Sequence, residues 1–364
     1  MNDLIAPRTT TDTPNQPTDG PPLRAATYKV GWYQIGRSDE FPSGRVVTLR
    51  YFGQEFVAFR GADGKVGVFD PYCPHLGAHL GAGRIVDGKL RCVFHGWQFK
   101  GDGSCDAIPY AGAIPTKARL HVWDTCEVHG SVFLYYDPEH NAPSYPVPSV
   151  PDFDAGAYSS PYCNEVTGRL QPYDLYENSV DMGHFVFIHG FTRLPVVQFD
   201  PSPWLLRTSF ESQVSMWGRK QAVTFRAQVH GPGISLTWID TGLRLWTYLN
   251  ATPIDPDNAR IFVTNFVEKA SIPAVLRPIV QPLFAWQFMF NLRRDVQIFS
   301  KRLNLGHPVL CGGDGPIVLY RSWFSRLPDA IRTPRPVFAA RRRDGAPAPL
   351  CEADAGARIG VGQG

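Results

Sequence analysis

The sequence predicts an α+β protein: an N-terminal all-β domain, then a C-terminal domain with an antiparallel sheet flanked by helices. Three observations predict it. Across residues 28–136, short alternating segments follow one another with frequent turns. A Pro- and Ser-rich stretch at 141–151 then breaks the pattern. Beyond it, longer alternating runs stand between two segments of helical character. A chain of 364 residues can bury two separate cores.

Residues 1–26 are rich in Thr, Pro and Asp and lack an apolar segment, so disorder is expected and no signal peptide is read. Residues 27–140 make the β domain. Runs 45–51 and 55–60 alternate, a turn at 61–64 leads into 66–69, and 120–123 and 131–136 close the set. Residues 141–160 read as a linker and 161–327 as the second domain. Its strands are expected at 224–230, 234–239, 244–252 and 260–267, with helices at about 173–188 and 283–302. Residues 328–364 read as a disordered tail, and Arg341–Arg343 within it as a solvated charge run.

Two runs in the β domain carry chemistry. Cys73-Pro-His75 and, after a 16-residue gap, Cys92-Val-Phe-His95 supply two thiolates and two imidazoles. Structural zinc also uses Cys2His2, but usually with both Cys on one arm and both His on the other. Here each arm carries one of each, the order of a Rieske [2Fe–2S] cluster, in which two His replace two Cys on one iron. Respiratory Rieske proteins add a Cys to each loop and a Ser after the second His-Gly. This chain has Ala78, Val93 and Trp97 near those places. Fewer hydrogen bonds to the cluster sulfurs imply a potential low in the Rieske range, suited to feeding an iron–oxygen site.

A net charge of +3, with much of the basic excess in the last 50 residues, gives no case for nucleic acid. No stretch reaches the ~18 unbroken apolar residues of a membrane span. The nearest, 272–292, is broken by Pro273, Arg277, Pro278 and Pro282. It reads as a loop and helix over an apolar pocket. Peripheral membrane contact is the rival reading, and it requires a lipid-like substrate. A cytoplasmic protein is the default.

The run Glu177-Asn178-Ser-Val-Asp181-Met-Gly-His184-Phe-Val-Phe-Ile-His189 carries a second site. Two His and a carboxylate with open positions make the facial triad that binds Fe(II) and activates O2. Five residues apart, His184 and His189 do not share a helical face, so the helix must end, kink or bulge between them. Gly183 and Gly190 permit that. Asp181, three residues before His184, can accept a hydrogen bond from the imidazole nitrogen not on the metal. Candidates for the third ligand are Asp240, Asp255, Asp257, Glu268, Asp295 and Asp314. Asp295 falls with Phe288, Leu292, Val296 and Phe299 on one apolar helical stripe, where a carboxylate is costly unless paired or metal-bound. It is the choice. Asn178, Trp238, Trp246, Tyr248 and Phe288 are candidates to line an apolar pocket.

From about residue 30 to 325 the chain resembles the Rieske non-haem iron oxygenases. Tyr72-Cys-Pro-His-Leu-Gly-Ala-His-Leu and Cys92-Val-Phe-His-Gly-Trp-Gln-Phe match the cluster loops, and Asn178-x-x-Asp181-x-x-His184-x4-His189 matches the iron motif. Within the family the likeness is to the oxygenase component of 3-ketosteroid 9α-hydroxylase and to cholesterol 7-desaturases. It rests on Asp295-Val-Gln-Ile-Phe-Ser-Lys301, Pro308-Val-Leu-Cys-x-x-Asp314-Gly-Pro and Arg321-x-Trp323. The resemblance implies Asp295 as an iron ligand and catalytic roles for Asp181 and Asn178. It also implies a head-to-tail homotrimer, in which Asp181 bridges His184 to a cluster His, His95 or His75, of the neighbouring subunit.

The expected function is an oxygenase component that uses O2 and two externally supplied electrons to hydroxylate or desaturate a hydrophobic, steroid-like polycycle. Aromatic-ring monooxygenation and O- or N-demethylation are the alternatives within the family. A pure Rieske electron carrier is the alternative of another class. With no nucleotide-binding Gly loop and no plant-type ferredoxin run in the sequence, an NAD(P)H-dependent reductase, a ferredoxin, or both are expected as separate partners.

Overall fold

The computed structural model describes residues 28–216 and 219–331. The Arg341–Arg343 run and the rest of the expected tail beyond 331 lie outside the described residues, as do residues 1–27. Residues 328–330, at the start of the expected tail, pair with 28–30. Val30 N donates to the Pro328 carbonyl at 2.8 Å, and Ala330 N to that of Tyr28 at 2.7 Å.

The first unit is all β. Its strands are β1 (Gly31–Arg37), β2 (Val46–Tyr51), β3 (Gln54–Arg60), β4 (Val66–Phe69), β5 (Arg84–Val86), β6 (Lys89–Arg91), β7 (Gln98–Phe99), β8 (Cys105–Ala107), β9 (Val122–Trp123), β10 (Thr125–Val128) and β11 (Ser131–Tyr136). They form three antiparallel sheets, β1-β11-β10, β2-β3-β4-β9 and β5-β6-β7-β8. The two Cys/His loops lie at strand ends: one leaves β4, and the other joins β6 to β7. Cys73 and Cys92 are buried in one apolar cluster with Phe59, Phe69, Leu80, Leu90 and Phe99. Rigid strands therefore hold both loops from below.

The second unit comprises β12 (Tyr162–Gly168), α1 (Pro172–Glu177), α2 (Met182–Phe187), β13 (Gln198–Pro201), β14 (Leu205–Met216), β15 (Arg219–His230), β16 (Ile234–Asp240), β17 (Arg244–Pro253), β18 (Ala259–Val267), α3 (Arg277–Phe299) and α4 (Ile317–Ser325). One antiparallel seven-stranded sheet runs β12-β18-β17-β16-β15-β14-β13. The expected helix at 173–188 is two short helices, parted at residues 178–181. Helix α3 starts six residues before the expected 283. Pro278 sits in its first turn, where no intrahelical N–H is lost, and only Pro282 lies inside it.

Strand alternation gives this sheet two apolar faces. In β17 and β18, Leu249, Ala251, Ile261 and Val263 pack against Leu175 and Tyr176 of α1, Met289, Leu292 and Val296 of α3, and Tyr320 and Trp323 of α4. The alternate residues Tyr248 and Phe266 face the first unit, in a cluster with Trp32, Phe133 and Tyr135. Buried polar bonds fix this seam. Asn250 Nδ2 donates to Gln34 Oε1 at 2.8 Å, and Thr252 Oγ1 donates to the Gln34 carbonyl. Tyr145, Val147 and Val150, read as linker, are buried in the same cluster.

Three of the four expected pocket aromatics are thereby relocated. Tyr248 and Trp246 belong to the seam, where Tyr248 is fully buried and donates to the Pro148 carbonyl. Trp238 pairs across the sheet with Trp246, on the same face, and carries the Arg226 guanidinium over its ring at 4.9 Å. Only Phe288 packs in the cluster that contains the helices. Period-2 alternation sorts side chains onto two faces, but both are apolar here, so it does not say which face meets the helices.

Candidate metal centres

The two Cys/His loops close in the same way. Cys73 N donates to the Ala78 carbonyl at 2.9 Å and Cys92 N to that of Trp97 at 2.8 Å. Gly77 N and Gly96 N return to the Cys73 and Cys92 carbonyls at 3.0 and 3.1 Å. Both glycines take a positive φ, 73° and 72°, which a side chain would strain. Each loop is thus a six-residue knuckle with Cys at its base. The His is third in one and fourth in the other.

The knuckles face each other. The His75 and His95 rings lie 4.6 Å apart at 73°, and His75 stacks on Trp97 at 4.7 Å and 10°. Trp97 is held in turn by its Nε1 donating to Tyr110 at 2.9 Å. Burial pushes the Cys73 thiol up to about 12, with the neighbouring Cys92 thiol adding to the rise. Such a thiol ionises in favour of a metal cation rather than of water. His75 Nδ1 is buried with no hydrogen-bond partner, an orphan that a metal bond would satisfy. Two buried thiols beside two facing imidazoles fit the donor set of a two-iron cluster.

The second grouping is His184, His189 and Asp295, with one ligand atom from each within 4.8 Å of the others. Helix α2 ends at Phe187, so His189 leaves the helical path and returns toward His184, the rings 5.0 Å apart. Asp295 comes from the inner face of α3, 8% exposed, with Oδ2 3.3 Å from His189 Nε2. Burial, and next the adjacent His189, lower the His184 pKa, which keeps its imidazole neutral as a ligand must be. His189 Nδ1 is a second buried orphan. Two imidazoles and one carboxylate, with one ligand atom from each gathered on one side, fit Fe(II).

Asp181 sits at the N-cap of α2, but its geometry differs from the sequence reading. Its carboxylate accepts from His184 N at 3.2 Å and lies 4.0 Å from Nδ1. The backbone carbonyl of Asp181 accepts from Nδ1, at 2.5 Å. The carbonyl therefore fixes the tautomer, leaving Nε2 for a metal, and the carboxylate caps the helix. Asn178 ends α1, in the turn leading to Asp181. Four of the five other carboxylate candidates are used elsewhere: Asp240 accepts from Gly242 N, Asp255 accepts from Asn258 in its own turn, Glu268 pairs with Arg244, and Asp314 accepts from Cys311 N.

The sequence reading missed a network beside the iron motif. Glu177, 3% exposed, accepts from Arg302 at 2.9 Å and from Arg321 at 2.7 and 3.2 Å, while Arg302 also reaches Asp174 at 2.9 Å. Arg294, next to Asp295, donates to the Ile188 carbonyl at 2.8 Å, just before His189. These bonds fasten the His-bearing segment to α3 and α4. The available signal was a Glu immediately before Asn178 with no opposite charge near it in sequence.

Gly315 closes the site from behind, with φ 82°. A Cβ there would stand 2.1 Å from the Val180 carbonyl oxygen. Gly315→Ala is expected to push the turn 178–181 away and to cost about 3 kcal/mol. Iron assay should show loss of the mononuclear iron, with the cluster absorbance intact.

Comparison with known proteins accords with both centres. The family model described as 3-ketosteroid 9alpha-hydroxylase C-terminal domain matches residues 134–327, more than half of the chain. The Rieske [2Fe-2S] domain matches residues 31–118. The chain is 28% identical over 345 residues to a probable 3-ketosteroid-9-alpha-monooxygenase, oxygenase component, of Rhodococcus rhodochrous, covering 88% of this chain and 84% of that one. It is 27% identical over 336 residues to cholesterol 7-desaturase nvd 1 of Ciona intestinalis, covering 85% and 70%. Among solved structures, dicamba monooxygenase bound to dicamba shares the fold, with TM-score 0.68 and 17% identity over 83% of this chain and 98% of that one. With a Rieske domain, a C-terminal domain of the 3-ketosteroid 9α-hydroxylase type and side chains that fit both metal groups, the chain belongs to the Rieske non-haem iron oxygenases.

Proposed function

We propose that this chain hydroxylates or desaturates a hydrophobic, steroid-like polycycle, with residues 27–140 as its electron-accepting domain and 161–327 as its catalytic domain. The enzyme class is that of an O2-using oxygenase component supplied with electrons by a separate reductase or ferredoxin. When bound, the cluster supplies one-electron transfer and the ferrous iron supplies O2 activation.

In this reading Cys73, His75, Cys92 and His95 hold the cluster, and His184, His189 and Asp295 hold the iron. Asp181 fixes the His184 tautomer through its carbonyl and the start of α2 through its carboxylate. Asn178 lies in the turn between the two short helices, its backbone N–H closing the end of α1. The observation that carries the proposal is the His184–His189–Asp295 grouping inside the region matched by the 3-ketosteroid 9α-hydroxylase model. The relatives named for 3-ketosteroid and cholesterol favour the steroid-like class over aromatic-ring oxidation or demethylation. A pure electron carrier would leave that grouping idle.

Two further parts belong to the proposal. The cluster loops expose Leu76, Val93 and Phe94, with Tyr110 beside them, a surface suited to a neighbouring copy in a homotrimer. A cytoplasmic location accords with the lack, among the described residues, of any helix long and apolar enough to cross a membrane.

The test is turnover of the purified, metal-loaded chain with a surrogate reductase, NAD(P)H and O2. The expected result is a hydroxylated or dehydrogenated steroid, with O2 uptake that depends on it. Oxidation of substituted aromatics only, with every steroid returned unchanged, would contradict the proposal.

A further inference from the structure

Helix α3 is apolar on two opposite faces. Ala285, Met289, Leu292, Val296 and Phe299 are buried toward the sheet. On the other side Leu276, at the N-cap, and Ile279, Leu283, Trp286 and Phe290 are 45–66% exposed. Their spacing of 3, 4, 3 and 4 puts them within about 80° of the helix circumference, along about 21 Å. A helix that is apolar all round ordinarily has protein or lipid on every side. This one has large apolar side chains facing outward, an arrangement that marks an interaction surface.

Charge says what that surface meets. Between residues 269 and 313 the chain has six basic residues, Lys269, Arg277, Arg293, Arg294, Lys301 and Arg302, of which Arg302 is paired with Asp174 and Glu177. The single acid in that span is Asp295, turned inward beside His189, and of the acids flanking it Glu268 pairs with Arg244 and Asp314 accepts from Cys311 N. The exposed face of α3 therefore presents apolar and basic groups with no carboxylate, and Arg293 and Arg294 continue the same face one turn beyond Phe290. Past the helix, Leu303, Leu305 and Val309 also protrude, Val309 being fully exposed. A Trp, Phe and Leu stripe continued by Arg293 and Arg294 is the composition of a helix lying in the interface of an anionic bilayer.

We infer that this face of α3 docks the enzyme on an anionic lipid surface. The inference rests on the proposed lipid-like substrate, which such a surface would store beside the catalytic domain. A lipid surface is favoured over a two-fold contact between copies because two such faces would bring like charges together with no acidic group to offset them.

The test uses the full-length holoprotein and sedimentation with phosphatidylcholine vesicles, with and without phosphatidylglycerol. The wild type should pellet with the phosphatidylglycerol vesicles and be released by salt. The double variant Leu283→Glu/Trp286→Glu should lower the bound fraction at least about tenfold, and Arg293→Glu by a smaller factor, with cluster absorbance unchanged. Wild type remaining in the supernatant would overturn the inference. So would a change in the oligomeric mass of the double variant, because the stripe would then be a contact between copies. Turnover of detergent-dispersed steroid is measured alongside and should be the same in all forms. Its absence in all of them would count against the proposed function and leave the vesicle result to stand alone.

Discussion

His189→Ala should lower steroid turnover by about a thousandfold while leaving the visible absorbance of the cluster unchanged. His189 stands just past the end of α2, where its ring meets His184 at 5.0 Å and its Nε2 meets Asp295 at 3.3 Å. Without it, the grouping is reduced to one imidazole and one carboxylate, too few to hold Fe(II) in a three-ligand face. A loss of about 4 kcal/mol of transition-state stabilisation corresponds to that factor. The cluster ligands lie in a separate unit with its own core, so their spectrum should not respond. Iron assay should fall by one atom per chain. Full turnover by the variant would mean that the second centre is idle in the reaction.

Glu177→Gln is expected to have the next largest effect, although Glu177 belongs to neither ligand set. Its carboxylate is the shared acceptor for Arg302 and Arg321, and it lies one residue before Asn178. Removing one partner of a buried ion pair leaves the other charge uncompensated, at a cost of about 3 kcal/mol. Two guanidiniums would then face a neutral amide. The melting transition of the C-terminal unit should fall, and the mononuclear iron should be lost to chelators faster than in the wild type. Arg321→Lys keeps the charge but loses the two-pronged contact, so an intermediate chelation rate is expected. A Glu177→Gln protein with wild-type melting and iron retention would remove the network from the account.

Much of the site was legible in the sequence because ligands carry their chemistry in residue type and spacing. One Cys and one His on each arm distinguished a Rieske cluster from zinc, and the folded knuckles show why the spacings differ by one: the same closure places His third or fourth. Asp295 was legible because a carboxylate on an apolar helical stripe needs a partner. What stayed hidden depended on tertiary placement. Alternation in β16 and β17 separated Trp238, Trp246 and Tyr248 from their neighbours, but the choice between helices and first unit was made by Gln34, Asn250 and Thr252 across the seam. Pro278 and Pro282 read as breakers, yet Pro278 fits the first turn of α3, where no hydrogen bond is forfeited. The carboxylate of Asp181 was expected on the imidazole. Once α2 began at Met182, capping its N-terminus claimed the carboxylate and left the carbonyl for Nδ1.

The measurement that tests the central claim most directly is the iron and acid-labile sulfide content of the fully loaded protein, read per chain. Two centres in one polypeptide require three irons and two sulfides, with Asp295→Ala reduced to two and two. Absence of sulfide, or two irons in the wild type and no loss in the variant, would contradict it.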